Sequence, residues 1–193
     1  MDSKDDIREQ IIEAARHIFS RFGFKKTTMD DIAAGIGKGK SSLYYYFSSK
    51  DQVFQAVVEK EIILLRSELL KVIESDLNAV DKIQAYVTVR MTKFGQMTNF
   101  YQAIKNELIG QLDYINQIRK KYHEDEISLV ETILNEGIES DTFGIEDSHL
   151  AAIVVVTAMN GLEIPLFWEN GGDNLDSRIK NVLKILFNGI AKR

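Results

Sequence analysis

Helical periodicity runs along almost the whole chain, and it constrains the fold more than any other feature. Apolar residues recur at spacings of three and four in Ile7, Ile11, Ala14, Ala15, Ile18, Phe19 and Phe22. The same spacing returns in Val53, Phe54, Val57, Val58, Leu64, Leu65, Leu69 and Val72. Such spacing lines one face of an α-helix. Strand-like alternation is missing and proline occurs once in 193 residues, so the expected fold is all-α. Helices are predicted over residues 7–22, 28–36, 40–47, 50–73, 80–97, 100–109, 113–136, 147–167 and 175–190. Gly23, Gly95, Gly110, the SDTFG stretch and the ENGGDN stretch mark the breaks.

Within this pattern one segment, Thr27 to Lys50, carries recognisable chemistry. Thr28 stands three residues before Asp31, the spacing at which hydroxyl and carboxylate reciprocally cap a helix start. Met29, Ile32, Ala33 and Ile36 give that helix a narrow apolar face. Gly35, Gly37 and Gly39 are expected to end it, since glycine tolerates the left-handed backbone of a tight turn. A second short helix then runs from Lys40 to about Phe47. Leu43 and Phe47 point inward, leaving Lys40, Ser41, Ser42, Tyr44, Tyr45 and Tyr46 largely outside. Two short helices joined by a glycine turn form a helix-turn-helix, whose second helix enters the DNA major groove.

The order Ile32-Ala33, Gly37, Leu43-Tyr44-Tyr45-Tyr46-Phe47 and Ser49-Lys50-Asp51 resembles the N-terminal domain of the TetR family of bacterial transcriptional regulators. The resemblance extends upstream through Ile7 to Gly23 and covers roughly the first 55 residues. It departs from the common pattern at Lys38, Gly39 and Ser41, where a small aliphatic residue, a capping serine and a glycine are usual. It implies a three-helix head, residues 1–49, that binds DNA through Thr28, Lys38, Lys40, Ser41, Ser42, Tyr44, Tyr45, Tyr46 and Lys50. Lys40, Ser41, Ser42 and Tyr45 are expected at base edges. Thr28, Tyr44, Tyr46 and Lys50 are expected at phosphates.

Two other readings of this segment were weighed. A phosphate-binding loop would need glycine five residues before Gly39, where the chain has Ala34, and a preceding apolar strand, where it has a capped helix with Asp30 and Asp31. A mere corner of the core would not need Lys40 beside three outward tyrosines. Charge favours the DNA reading. The chain carries −5 overall, whereas residues 16–50 hold seven basic and two acidic side chains. Such asymmetry supplies a local phosphate-binding field.

Residues 50–193 are predicted to form a helical ligand-binding and dimerisation bundle. The helix from Leu150 is apolar nearly all round and must be enclosed. The last helix has an apolar stripe. In the family the last two long helices form a four-helix dimer interface, which implies a homodimer contact through Val155, Ile179, Val182, Leu183, Leu186 and Phe187. The resemblance also implies a small-molecule pocket among the middle helices. Tyr86, Phe94, Met97, Tyr101, Tyr114, Ile118, Met159 and Phe167 would be its apolar lining, and Arg90, Asn160 and Glu163 its polar groups; core packing is the competing reading for each.

Several classes find no support. There is no cysteine, hence no disulfide framework or thiolate metal site. His17, His123 and His149 have no metal-ligand spacing, and no nucleophile elbow or other catalytic constellation occurs. No cofactor, metal or membrane partner is expected. The start MDSKDD is acidic and lacks an apolar signal core, so a cytoplasmic location is expected. The combined expectation is a ligand-responsive regulator, a repressor released from a palindromic double-stranded DNA operator by a small apolar or aromatic effector. The alternative is an all-helical carrier or interaction module without a DNA role.

Overall fold

The computed structural model describes residues 4–97, 99, 112–168 and 175–190. Eight helices occur among them: α1 (Lys4–Phe22), α2 (Met29–Gly35), α3 (Lys40–Tyr46), α4 (Lys50–Ile73), α5 (Ala79–Gln96), α6 (Leu112–Glu139), α7 (Ser148–Trp168) and α8 (Leu175–Ile190). No strand occurs among the described residues. The helix expected at 100–109 lies outside them. Two compact units are present, residues 1–64 with 97–118 and residues 65–96 with 119–193. Helix α4 runs through the junction at Leu64 and Leu65 without a break.

In the first unit α1 buries Ile11, Ile12, Ala15 and Phe19 and ends at Gly23, whose N–H donates to Phe19 O at 2.8 Å. Phe22, predicted inward, is 53 % exposed because the helix ends there and its face passes beyond the core. Phe19, Phe24 and Phe54 meet as a trio, with ring centroids 4.9 to 5.6 Å apart, and tie the end of α1 to α4. Ile32 from α2 and Leu43 from α3 complete the core, both fully buried. Ser49 caps α4 by accepting the Gln52 N–H at 3.2 Å, while Gln52 Oε1 accepts from Ser48 N. Leu64, expected inward, is 43 % exposed, and Glu61 and Ile62 are the buried residues of that turn.

The second unit is a bundle in which α5 packs against α7 and α8. Its core holds Tyr86, Val87 and Met91 from α5, Val130, Ile133 and Leu134 from α6, Ala152, Val155, Val156 and Met159 from α7, and Ile179 and Leu183 from α8. Asn78 starts α5 by accepting the Asp81 N–H at 3.0 Å, and Asp147 starts α7 by accepting the Leu150 N–H at 2.8 Å. Both satisfy amides that a helix start leaves without partners. Lys82, nearly buried, reaches Glu136 at 2.8 Å and joins α5 to α6. None of the helices among the described residues is long and apolar enough to cross a membrane.

Candidate functional site

The candidate DNA-facing surface of the head is built by two short helices, α2 and α3, whose inner faces are buried. Thr28 Oγ1 accepts the Asp31 N–H at 3.2 Å, and the Asp31 carboxylate accepts the Thr28 N–H at 2.8 Å, closing the predicted capping box. The Thr28 hydroxyl also donates to Asp31 at 2.7 Å. These bonds, the side-chain one first, hold the Asp31 carboxyl below its ordinary range. Of the three glycines, only Gly37 turns the chain through the left-handed region, at φ +64°. Gly35 is the last residue of α2, where an added Cβ would come within 3.1 Å of Ile18 Cδ1. Gly39 is the N-cap of α3 in extended backbone, with no side chain to cap the helix. Its carbonyl accepts the Ser42 N–H at 3.0 Å.

On α3, Leu43 is fully buried and Phe47, just beyond, is 4 % exposed. Lys40, Ser41, Tyr44 and Tyr45 are exposed, Ser42 and Tyr46 half-buried. The Tyr45 and Tyr46 rings meet edge to face at 5.1 Å, and the Lys4 ammonium lies 5.0 Å over the Tyr45 ring. Lys40 pairs with Asp30 at 2.7 Å, both exposed, and this bond raises the Lys40 pKa. Lys38 and Thr28 are also exposed. The Lys50 ammonium donates to Phe24 O and Thr27 O, each at 2.8 Å, and sits 4.3 Å over the Phe24 ring. These bonds fasten the α1–α2 turn to the start of α4.

In the second unit, polar groups expected around a pocket converge on α5. Arg90, 5 % exposed, donates from Nε to Glu126 Oε1 at 2.7 Å and from Nη2 to Asn160 Oδ1 at 2.8 Å. Its guanidinium lies 5.2 Å over the Phe94 ring. One turn earlier on the same face, Tyr86 is fully buried, and its hydroxyl meets no hydrogen-bond partner among the described residues. Burial, then the negative charge of Glu126, hold the phenol well above its ordinary pKa, while Arg90 pulls it the other way. A buried polar group without a partner costs about 1–3 kcal/mol. Glu126 is absent from the residues expected from sequence. Its signal was its place on α6 opposite an arginine of α5, which spacing within one helix cannot reveal.

Met159, at 1 % exposure, and Phe94, at 3 %, belong with these residues to the second unit, whereas Met97 falls in the first. Tyr101 and the side chains of Tyr114, Ile118, Glu163 and Phe167 lie outside the described residues, as do those of Val182, Leu186 and Phe187.

The profile of bacterial regulatory proteins of the tetR family matches residues 11–57, the span from α1 into α4 that builds the helix-turn-helix. The structure of a transcriptional regulator from Cytophaga hutchinsonii is similar over 95 % of this chain and 98 % of that one, with 27 % identity and a TM-score of 0.84. The chain belongs to the TetR family of bacterial transcriptional regulators. A curated relative of this TetR-family regulator is IcaR of Staphylococcus aureus, the negative transcriptional regulator of the biofilm operon icaADBC. The two are 26 % identical over 138 residues, 64 % of this chain and 73 % of IcaR. SmeT, the repressor of the Stenotrophomonas maltophilia multidrug efflux pump SmeDEF, shares the fold in its triclosan complex. That match has 18 % identity, a TM-score of 0.71, and covers 96 % of this chain and 91 % of SmeT. These relatives are transcription regulators, not enzymes.

Three of the expected dimer residues of this TetR-family regulator have described side chains, and all three are buried within the protomer. Val155, Ile179 and Leu183 are 3 %, 2 % and 8 % exposed within one protomer, because they face the core that α5 shares with α7 and α8. Among the described residues, the large apolar side chains that these two helices leave outside are Leu150 and Val154, each 56 % exposed, and Ile185, 74 % exposed. Spacing found the apolar character of both helices.

Proposed function

We propose that this DNA-binding regulator is a cytoplasmic homodimeric repressor, released from a palindromic operator when a small, largely apolar or aromatic effector binds residues 50–193. The observation that carries the DNA part is α3. Leu43 and Phe47 anchor it, while Lys40, Ser41, Tyr44 and Tyr45 stand out from one short helix whose N-terminus follows the Gly37 turn. Lys40, Ser41, Ser42 and Tyr45 take the base edges, and Thr28, Lys38, Tyr44 and Tyr46 the phosphates. We retain residues 1–49 as the DNA-binding part, although the compact unit around it is larger.

A single helix-turn-helix reads one half-site, so a two-fold dimer supplies the specificity of a full operator. Leu150, Val154 and Ile185 favour a second copy as their cover, because large apolar residues projecting from two helices gain most when removed from water. The repressor sense draws on IcaR, named as a negative regulator, and the effector reading on SmeT, solved with triclosan. Release follows if the effector binds more tightly to a conformation whose heads no longer match the operator. Going from nearly full occupancy to nearly full release requires about 5.5 kcal/mol of differential affinity.

The test is selection of binding fragments from random genomic DNA, followed by fluorescence anisotropy at several salt concentrations. A palindromic site bound by a dimer, with affinity falling steeply as salt rises, is expected. Purified protein that selects no DNA and sediments as a monomer would leave the carrier reading in its place.

A further inference from the structure

We propose that Tyr86 is the hydrogen-bond donor of an effector subsite for an uncharged oxygen acceptor carried on an apolar body. The acceptor is a hydroxyl, ether or carbonyl group, and the Arg90–Glu126–Asn160 network disfavours carboxylates there. The inference rests on the reading of the protein as ligand-responsive and names the chemical class of its effector. Tyr86 is fully buried, and its O–H has no acceptor among the described residues. Buried donors are nearly always paired, because a donor without a partner forfeits its hydration and gains nothing in return. A phenol hydroxyl can donate or accept, and the partner assigned here is an acceptor that takes its O–H.

Charge decides which acceptor fits. On the next turn of α5 the Arg90 guanidinium donates from Nε to Glu126 at 2.7 Å and from Nη2 to Asn160 at 2.8 Å, so it is already paired with a carboxylate. A carboxylate at Tyr86 would face the like charge of Glu126, whose own cation is already paired with it. In a dry site that repulsion is weakly screened. A neutral oxygen accepts from Tyr86 without it. The core cluster to which Tyr86 belongs is apolar, with Val87, Met91, Val156 and Met159 among its members, and suits an aliphatic or aromatic body. Methionine side chains re-pack at small cost, which lets a ligand enter a core that is closed without it.

Matched neutral and anionic probes test this on the full chain. 1-Octanol against octanoate, and 2-naphthol against 2-naphthoate, are titrated by calorimetry into the parent protein and into Tyr86→Phe. The neutral member of each pair is expected to bind at least roughly tenfold more tightly, and Tyr86→Phe to remove about that factor for neutral probes while leaving the anions unchanged, as for one lost hydrogen bond. Without ligand, Tyr86→Phe should melt no lower than the parent. Glu126→Gln, if it folds, should narrow the gap between the members of each pair. Carboxylates binding as well as their neutral partners would overturn the inference. So would a Tyr86→Phe protein that melts lower with unchanged affinities, since the hydroxyl would then belong to an internal water and not to a ligand. Binding by neither series also overturns it. The ligand-responsive reading is judged separately, by operator release against a panel of cationic and anionic compounds. Release by a charged compound alone keeps that reading and removes this one.

Discussion

Helices α3 and α7 follow the same three-and-four spacing and present opposite problems. In α3 the inner residue is Leu43, fully buried, and its outer neighbours are Tyr44 and Tyr45, 45 % and 69 % exposed. In α7 the inner residue is Val155 at 3 % exposure, and its neighbour Val154 is 56 % exposed. The outer face of α3 differs in chemistry from its inner face, and the difference announces a polar partner. In α7 the exposed positions include Leu150 and Val154 beside Thr157, so apolar character alone does not separate the outer face from the inner one.

The sharpest way to break this comparison is to place a charge on each side of α7. Val155→Asp buries an unpaired carboxylate in the core and should cost several kcal/mol, enough to unfold the bundle. Val154→Asp should leave the protomer folded, with circular dichroism and melting close to the parent, but shift sedimentation toward monomer and weaken operator binding. If both variants stay folded and dimeric, the inner and outer assignments of α7 are wrong.

The equivalent pair on α3 separates stability from affinity. Leu43→Ala should cost about 2–5 kcal/mol in urea unfolding through the cavity it leaves. Tyr45→Ala should barely change unfolding and cost about 1–3 kcal/mol in operator affinity. Between these lies Lys50→Met, which removes the two bonds to Phe24 O and Thr27 O and should cost about 2 kcal/mol of stability. Its salt dependence of DNA binding should hardly change. A fall of one unit in the salt slope with unaltered stability would restore the phosphate role expected from sequence.

Legibility in the sequence follows the same division. The Thr28–Asp31 box and the Leu43–Phe47 anchor were readable because each depends on residues three or four apart. The turn was readable in outline, yet only Gly37 has positive φ, and Gly35 is held by the approach of Ile18 from another helix. The two bonds of Lys50 were not readable, because its acceptors lie 23 and 26 residues away on the backbone, where no side-chain pattern marks them. Arg90 and Asn160 were chosen as polar groups of a pocket, but their bond spans 70 residues, and Glu126 entered only once α5 and α6 were seen together. Local chemistry is written along the chain, and contacts between helices are not.

The smallest expected effect is a pH dependence. The bond from His149 Nδ1 to Glu131 at 2.9 Å raises the His149 pKa above its ordinary 6.5. A raised folded-state pKa stabilises the fold below the unfolded value, and that contribution is lost as pH rises through the folded value. His149→Gln should therefore flatten a slight decline of melting temperature above pH 6.5, the ordinary histidine value, without altering the alkaline end. A parallel curve for both proteins would show the pair contributes nothing.

The central claim is that the exposed face of α3 reads DNA, and it is tested most directly by operator affinity in the Lys40→Ala and Tyr45→Ala proteins. Both are measured by anisotropy against the selected operator and against unrelated DNA, over a range of salt. The account predicts native stability for both, a loss of roughly tenfold or more on the operator for each, and a much smaller loss on unrelated DNA. Full operator affinity in both variants, with the salt slope of the parent, would contradict it.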